Sequence, residues 1–244
     1  MTTVAAVEKV IYVYGSAHDG TGPDLGPDAR ARLAEALYGL GAHGVRFNVV
    51  DHDVDRAAQL RILMSEWHAG GLVSVWVDSA TEHLRRPFDD VLASAAGDAD
   101  PPHAYLVTES VPLRNTRFPT EIGRRTHGFA QVAFLRRPVD QPVDEWLDIW
   151  LNSHTHVALD LQDTFSYVQN VVTRRLTDGA EPWDAIVEEC FPPKAMTDPH
   201  AFFDTADDEL LARRQQDMFA SVERFIDLGK IDVVPTSRYD AGGA

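Results

Sequence analysis

A short segment of the sequence combines a histidine with aromatic side chains at helical spacing, which is one way to build an acid–base site. The residues of one predicted helix face recur at intervals of three and four, at Val143, Leu147, Trp150 and His154. The spacing predicts a helix over 144–157, with His154 near its C-terminal end on the sheet-facing side and His156 in the loop beyond. Because histidine titrates near neutral pH, His154 is a candidate general acid or base.

A structural role for His154 stays open from the sequence. The negative end of a helix raises the pKa of a nearby histidine, whereas burial lowers that pKa. A histidine at a helix end can also cap the helix or fill the core. The spacing His154-Thr155-His156 does not make a metal site by itself, because zinc takes three or four ligands and no third is identifiable. No metal is therefore expected.

A strand with polar residues on both faces follows this helix. Alternation puts Tyr167 and Gln169 on one face and Asn170 on the other, together with Val168 and Val172. A buried asparagine must find hydrogen-bond partners. Asn170 therefore either orients a ligand or ties two strands together.

The next predicted strand carries acidic residues along one face. This face consists of Asp184, Ile186, Glu188 and Cys190, and Trp183 comes just before it. A carboxylate within a strand is costly unless it is paired or solvated. Glu188 is accordingly interpreted either as an edge charge or as a site residue.

Two further features are predicted to be structural. Cys190 is the single cysteine, so an intrachain disulfide or a cysteine-based zinc site is excluded, and the thiol is expected to be buried and inert. Asp51-His52-Asp53 has residue types that bind metals, but it directly follows a strand. Residues of these types at such a position usually form turns and helix caps.

The composition excludes several classes of function. Of the 244 residues, 44% are hydrophobic and 25% are charged, as in soluble globular proteins, and the formal net charge is −16. This charge argues against nucleic acid or an anionic membrane as a partner. No apolar run approaches the ~20 residues of a membrane-spanning helix, and the first residues lack a secretory signal pattern. A cytoplasmic location is expected.

The order of predicted elements occurs twice along the chain. In the first half, strands are predicted over 9–14, 45–50, 72–77 and 104–108, and helices over 28–40 and 81–96. A further helical face is predicted at Ala57, Leu60, Met64 and Trp67. In the second half, strands are predicted over 129–135, 165–174, 184–191 and 231–234, and helices over 144–157 and 207–228. Each half therefore follows the βαββαβ order.

A βαββαβ unit covers one face of its sheet with helices and leaves the other face bare. The prediction is therefore an α+β fold in which two tandem ferredoxin-like repeats, 8–113 and 127–240, cover each other as an intramolecular dimeric α+β barrel. The segment 113–126 is expected to be an exposed connector. The alternative is two independent domains that each dimerise with another molecule, so both a monomer and a homodimer stay open.

The second half resembles the EthD domain family of the dimeric α+β barrel superfamily. The resemblance rests on three runs in order, 144–154, 167–170 and 183–188. The family commonly has His-x-Pro where this chain has His154-Thr155-His156, and a glycine where it has Ala185. The first half lacks the motif and is expected to be the degenerate partner that supplies a covering sheet.

The resemblance implies a largely apolar pocket between helices and sheet, and a hydrophobic small molecule as substrate. It suggests a cofactor-independent enzyme of the dehydratase, decarboxylase, cyclase or monooxygenase type. His154 would be the general acid or base, Asn170 would polarise a carbonyl, and Glu188 would assist proton transfer. The substrate contacts are expected at Trp150, His156, Tyr167, Trp183 and Asp184.

Two other readings stay open. The same pocket could belong to a carrier protein without catalysis, including one that binds haem through His154 or His156. The domain could also be purely structural. The absence of an enclosed pocket beside His154 would favour the structural reading, whereas loss of catalysis on replacement of His154 would favour the enzyme over the carrier.

Overall fold

The computed structural model describes residues 7–16, 23 and 25–242. The first repeat contains β1 (Glu8–Gly15), α1 (Pro27–Gly39), β2 (Gly44–Val49), a 3₁₀ helix (His52–Leu60), β3 (Ile62–Leu63), β4 (Ala69–Val77), α2 (Glu82–Ser94) and β5 (His103–Leu113). The second contains β6 (Phe129–Leu135), α3 (Val143–Leu147), a π-helical segment (Asp148–His154), α4 (Thr155–Leu161), β7 (Ser166–Arg175), β8 (Ala185–Phe191), a 3₁₀ helix (Pro193–Met196), α5 (Pro199–Phe202), α6 (Asp208–Val222) and β9 (Asp232–Ala241).

The strands form one closed antiparallel barrel. The order is β2-β4-β1-β5 in the first repeat and β7-β8-β6-β9 in the second, so corresponding strands occupy corresponding positions. β5 pairs with β7, and β9 pairs with β2, which joins the two sheets along both edges. β3 adds two residues beside β9. The predicted fold class, an intramolecular α+β barrel of two ferredoxin-like repeats, is confirmed; the exact boundaries 8–113 and 127–240 stay a prediction.

Strand alternation separates a helix-facing side from a barrel interior. On β1, Val10 and Tyr12 pack with residues of α1 and α2, whereas Ile11 and Val13 lie in the interior. The interior is filled by side chains from both repeats, among them Leu72, Tyr105, Phe134, Trp183 and Val234. Because both faces of each sheet are covered, most strands are buried on both sides.

Several predicted boundaries are wrong. The helix predicted over 144–157 continues through the π-helical segment into α4, because Thr155 and Ala158 are buried against the sheet. The last strand runs to Ala241 rather than ending at Val234. Polar residues on both faces hide this extension in the sequence, since their side chains are buried and hydrogen-bonded. The predicted helix over 207–228 ends at Val222, and the helical face from Ala57 to Trp67 ends at Leu60.

The connector between the repeats is largely exposed, as predicted, and its C-terminal part runs beside β9. Gly123 and Thr126 donate backbone hydrogen bonds to the carbonyls of Asp240 and Arg238, and Thr126 is buried. In the part of the chain described above, no helix has the length and apolar character needed to cross a bilayer.

Candidate functional site

The structure places His154 between two helical elements. Its Nδ1 lies 2.9 Å from Oγ of Ser221 on α6, and its ring lies 4.7 Å from the ring of Phe225. Burial, assisted by the nearby Arg224 charge, lowers the pKa of His154 to about 4. The imidazole is therefore neutral at neutral pH, and the predicted helix-end effect does not apply, because the helix continues past His154 through α4.

Asn170 and Glu188 lie on the opposite side of the sheet from His154. Asn170 accepts a hydrogen bond from Nζ of Lys9 at 2.9 Å and donates one to the Ile186 carbonyl, also at 2.9 Å. Glu188 accepts from Arg238 at 2.7 Å, inside the barrel. The expected meeting of His154, Asn170 and Glu188 at one pocket is wrong, because the sheet separates the first from the other two.

The remaining predicted contacts are also dispersed. Trp183 packs inside the barrel, with its ring 4.4 Å from that of Phe134. A carboxylate oxygen of Asp184 accepts a hydrogen bond from the backbone of Arg137, and His156 is exposed on α4. Trp183 and Asp184 cannot line a pocket between helices and sheet with Trp150 and Tyr167. Trp183 lies in the barrel interior, and Asp184 lies at the end of a strand.

Trp150 and Tyr167 do share the helix-facing side of the second repeat. Both are fully buried, at 0% and 1% exposure. Beside them, Gln169 donates a hydrogen bond to Oγ1 of Thr155 at 2.8 Å. These side chains lie over the junction of β7 and β5, where Tyr167 pairs with Leu113.

The acidic group near this cluster is Glu189 rather than the predicted Glu188. Glu189 pairs with Tyr167 across β7 and β8, on the helix-facing side. Burial raises the pKa of Glu189 to about 7. The sequence alternation separated the two faces of β8 but gave no sign of which face met the helices.

An open cavity lies at the corresponding junction of the first repeat. It measures about 670 Å³ and lies over the junction of β2 and β9, beneath α1. We call it the first-repeat cavity. Its lining includes Arg30, Ala31, Ala34 and Tyr38 from α1, Phe47 from β2, Tyr239, Asp240 and Ala241 from β9, and Ile122 and Gly123 from the connector.

The first-repeat cavity has an aromatic wall that includes Tyr239, and the hydroxyl of Tyr239 is hydrogen-bonded to Asp51, which does not itself line the cavity. The hydroxyl of Tyr239 donates to Oδ2 of Asp51 at 2.9 Å, and the other oxygen of Asp51 accepts from Ser237 at 2.7 Å. Burial raises the pKa of Tyr239, and the negative charge of Asp51 raises it further. The guanidinium of Arg30 lies 3.6 Å from the centre of the Tyr239 ring.

One member of this pair, Asp51, also has a second, structural role. Asp51 caps the following 3₁₀ helix by accepting a hydrogen bond from the Asp53 backbone, as the turn pattern predicted. Tyr239 lies 188 positions further along the chain, on a part of β9 that was not predicted as strand. Only the barrel closure between β2 and β9 brings the two together.

Other reactive groups are poorly suited to catalysis. The predicted burial of Cys190 is confirmed, and this burial, reinforced by Glu188, raises the pKa of the thiol to about 12. Within the described ranges, no cluster of three or more His, Cys, Asp or Glu side chains is arranged to hold a metal ion.

Comparison with known proteins supports the fold. No family model and no curated protein matches the sequence. The chain aligns with the crystal structure of an anthrone oxidase-like protein at a TM-score of 0.56 and 12% identity, over 98% of this chain and 95% of that one. This likeness shows a shared fold, a dimeric α+β barrel.

Two candidate monooxygenases align less closely. The one from Fusobacterium nucleatum gives a TM-score of 0.47 at 7% identity, covering 98% of this chain and 94% of its own. The one from Lactobacillus acidophilus NCFM gives 0.43 at 9% identity, covering 98% and 97%.

Proposed function

We propose that the protein is a cofactor-independent enzyme that removes a proton from a hydrophobic, aromatic small molecule in the first-repeat cavity. The observation that carries the proposal is the Tyr239–Asp51 pair at the wall of this cavity. Its volume of about 670 Å³ lies within the usual range of small-molecule sites. The EthD-like pattern of the second repeat supports the same class of function.

The proton transfer follows from the direction of the hydrogen bonds. Because the pKa of Tyr239 is raised, the phenol stays neutral and does not act as a phenolate base. Its proton points to Asp51, which leaves an oxygen lone pair able to accept a proton from the substrate. The substrate proton passes to Tyr239 as the tyrosine proton passes to Asp51, and the substrate becomes an anion.

Two neighbouring groups assist this step. Ser237 donates to Asp51 and in turn accepts from Arg125 at 2.7 Å, which fixes the orientation of the carboxylate. Arg30 lines the cavity and supplies a positive charge for the substrate anion. Dehydration, cyclisation by carbon–carbon bond formation and reaction of a carbanion with dioxygen can each start from such an anion.

The test uses anthrone, the compound in the name of the structural neighbour, as a probe with acidic methylene protons. Exchange of these protons in D2O, without dioxygen, is followed by proton NMR. The native protein should accelerate exchange over buffer, and Asp51→Asn should lose about 100-fold of that acceleration. Exchange at the buffer rate with the native protein would contradict the proposal.

The same experiment, combined with a binding measurement, distinguishes a carrier from an enzyme. A carrier would hold the fluorescent dye 8-anilinonaphthalene-1-sulfonate in the first-repeat cavity and leave anthrone exchange at the buffer rate. The apolar side chains from α1 and the connector would suit such a ligand, but the hydrogen-bonded Tyr239–Asp51 pair favours the enzyme.

A further inference from the structure

A second concentration of polar groups lies inside the barrel, at one end, away from the helices. Lys9, Arg46, Glu188 and Arg238 come from four different strands and are all buried or nearly so. Charged side chains are rarely buried unless they are paired. Their pairing therefore decides what this end of the barrel can bind.

The carboxylates of this cluster are already held by cations. Arg238 donates to Glu188 at 2.7 Å and to Asp240 at 3.0 Å, and Arg46 donates to Asp240 at 2.7 Å. Burial alone would raise the pKa of Glu188, but Arg238 and the other cations lower it overall. Glu188 therefore remains ionised.

Lys9 completes the interior network. It forms an ion pair with Glu109 and a hydrogen bond with Asn170, and its Nζ lies 4.7 Å from the centre of the Trp76 ring. Burial lowers the pKa of Lys9 to about 8, and the Glu109 charge limits this decrease. Glu109 is thus also matched by a cation.

A cavity of about 300 Å³ opens beside this network, which we call the barrel-end cavity. Its lining consists of Arg46, Glu109, Val111, Arg114, Asn115, Thr120, Ser166, Val168 and Arg238. Arg114 is exposed and forms no ion pair with any described residue. Arg238 is only 8% exposed. Its Nε is buried and has no hydrogen-bond partner among the described residues.

We propose that the barrel-end cavity binds the anionic group of a small organic acid, either a carboxylate or a phosphate ester. Three arginines line it, and each neighbouring carboxylate is already paired. Guanidinium groups bind such oxyanions through two parallel hydrogen bonds. The volume leaves room for an organic body beyond the anionic group.

The charge balance supports this assignment. Four cations, Lys9, Arg46, Arg114 and Arg238, face the three carboxylates Glu109, Glu188 and Asp240. This local excess of positive charge stands in a chain whose formal net charge is −16. An anion would pair with Arg114 and supply an acceptor for Nε of Arg238.

The proposed site is distinct from the first-repeat cavity. Asp240 lines the first-repeat cavity, whereas its partners Arg46 and Arg238 line the barrel-end cavity. These ion pairs therefore lie between the two spaces. Binding at one site can be tested without binding at the other.

The experiment titrates the full chain calorimetrically with benzoate, phenyl phosphate and the neutral analogue benzamide. We expect at least one of the two anions to bind and benzamide to bind at least tenfold more weakly. Tighter binding of benzoate identifies a carboxylate site, and tighter binding of phenyl phosphate identifies a phosphate ester site. Absence of binding by both anions, or equal binding of benzamide, would overturn the proposal.

A matched pair of charge reversals locates the site. Arg114→Glu changes an exposed residue that lines the cavity, and Arg124→Glu changes an exposed residue of the same connector that does not. The first variant should weaken anion binding at least tenfold, and the second should change it less than twofold. Equal weakening by both variants would indicate a general effect of net charge and would also overturn the proposal.

Discussion

The junctions of β2 with β9 and of β7 with β5 occupy corresponding positions in the two repeats, but their contents differ. At the first, small side chains of α1 such as Ala31 and Ala34 leave a cavity against Tyr239. At the second, the large side chains of Trp150 and Tyr167 are fully buried on the helix-facing side. The same backbone arrangement therefore gives an open site or a packed core, depending on side-chain volume.

The electrostatic character of the two junctions differs as well. Tyr239 is hydrogen-bonded to a carboxylate at the wall of an open cavity, whereas His154 is neutral and buried between helices. The second junction also contains the π-helical segment and Glu189, with its pKa of about 7. The second junction thus has two features typical of functional sites beside fully buried aromatic side chains.

The most disruptive change would open the packed junction. Trp150→Ala removes a fully buried indole and should lower the free energy of unfolding by about 3–5 kcal/mol, measured by urea denaturation. The variant should also gain a second binding site for the anilinonaphthalene dye. Unchanged stability would show that the second junction is not packed as described.

The reverse change should close the open junction. Ala31→Trp places a large side chain in the first-repeat cavity and should weaken dye binding at least tenfold, measured by fluorescence titration. Ala36→Trp is the control, because Ala36 is exposed on the same helix and does not line the cavity. If both variants bind the dye like the native protein, the dye site lies elsewhere.

His154 should affect stability more than proton transfer. His154→Gln disturbs the contact with Ser221 and should cost about 1–2 kcal/mol of unfolding free energy. Anthrone exchange should stay within about twofold of the native rate. The exposed His156→Gln is the control, with neither property changed. A large loss of exchange only in His154→Gln would indicate that proton transfer occurs in the second repeat instead.

Glu189 should make the stability of the protein depend on pH. In the folded state the pKa of Glu189 is raised from 4.5 to about 7, so the folded protein holds a proton there that the unfolded chain has lost. The contribution of Glu189 to the free energy of unfolding therefore decreases as pH rises from 4.5 to about 7. The contribution of His154 to the free energy of unfolding increases with pH instead, because the pKa of His154 is lowered from 6.5 to about 4.

The variant Glu189→Gln isolates this contribution, since His154 is common to both proteins. The unfolding free energy of the variant relative to the native protein should increase as pH rises from 4.5 to 7. Denaturant titrations at several pH values measure this difference. A difference that does not change with pH would mean that Glu189 is not buried in its neutral form.

Much of the fold could be predicted because both repeats show clear strand and helix periodicities. The alternation of Tyr167 and Gln169 against Asn170 was also correct, since it follows directly from strand geometry. The barrel follows from the need of each sheet to cover its bare face.

The candidate site could not be predicted in the same way. When both faces of a strand are buried, periodicity does not tell which face meets the helices, so the pattern predicts Glu188 for the site although Glu189 lies on the helix-facing side. The Tyr239–Asp51 pair depends on a contact between distant strands. The first-repeat cavity depends on how far α1 stands from the sheet, which side-chain volumes determine.

The central claim is that proton transfer occurs at the β2–β9 junction, and a pair of tyrosine variants tests it most directly. Tyr239→Phe removes the hydroxyl that donates to Asp51, and Tyr167→Phe removes a hydroxyl at the packed junction. Anthrone exchange should fall about 100-fold in Tyr239→Phe and stay near the native rate in Tyr167→Phe. The opposite result, with loss only in Tyr167→Phe, would contradict the account.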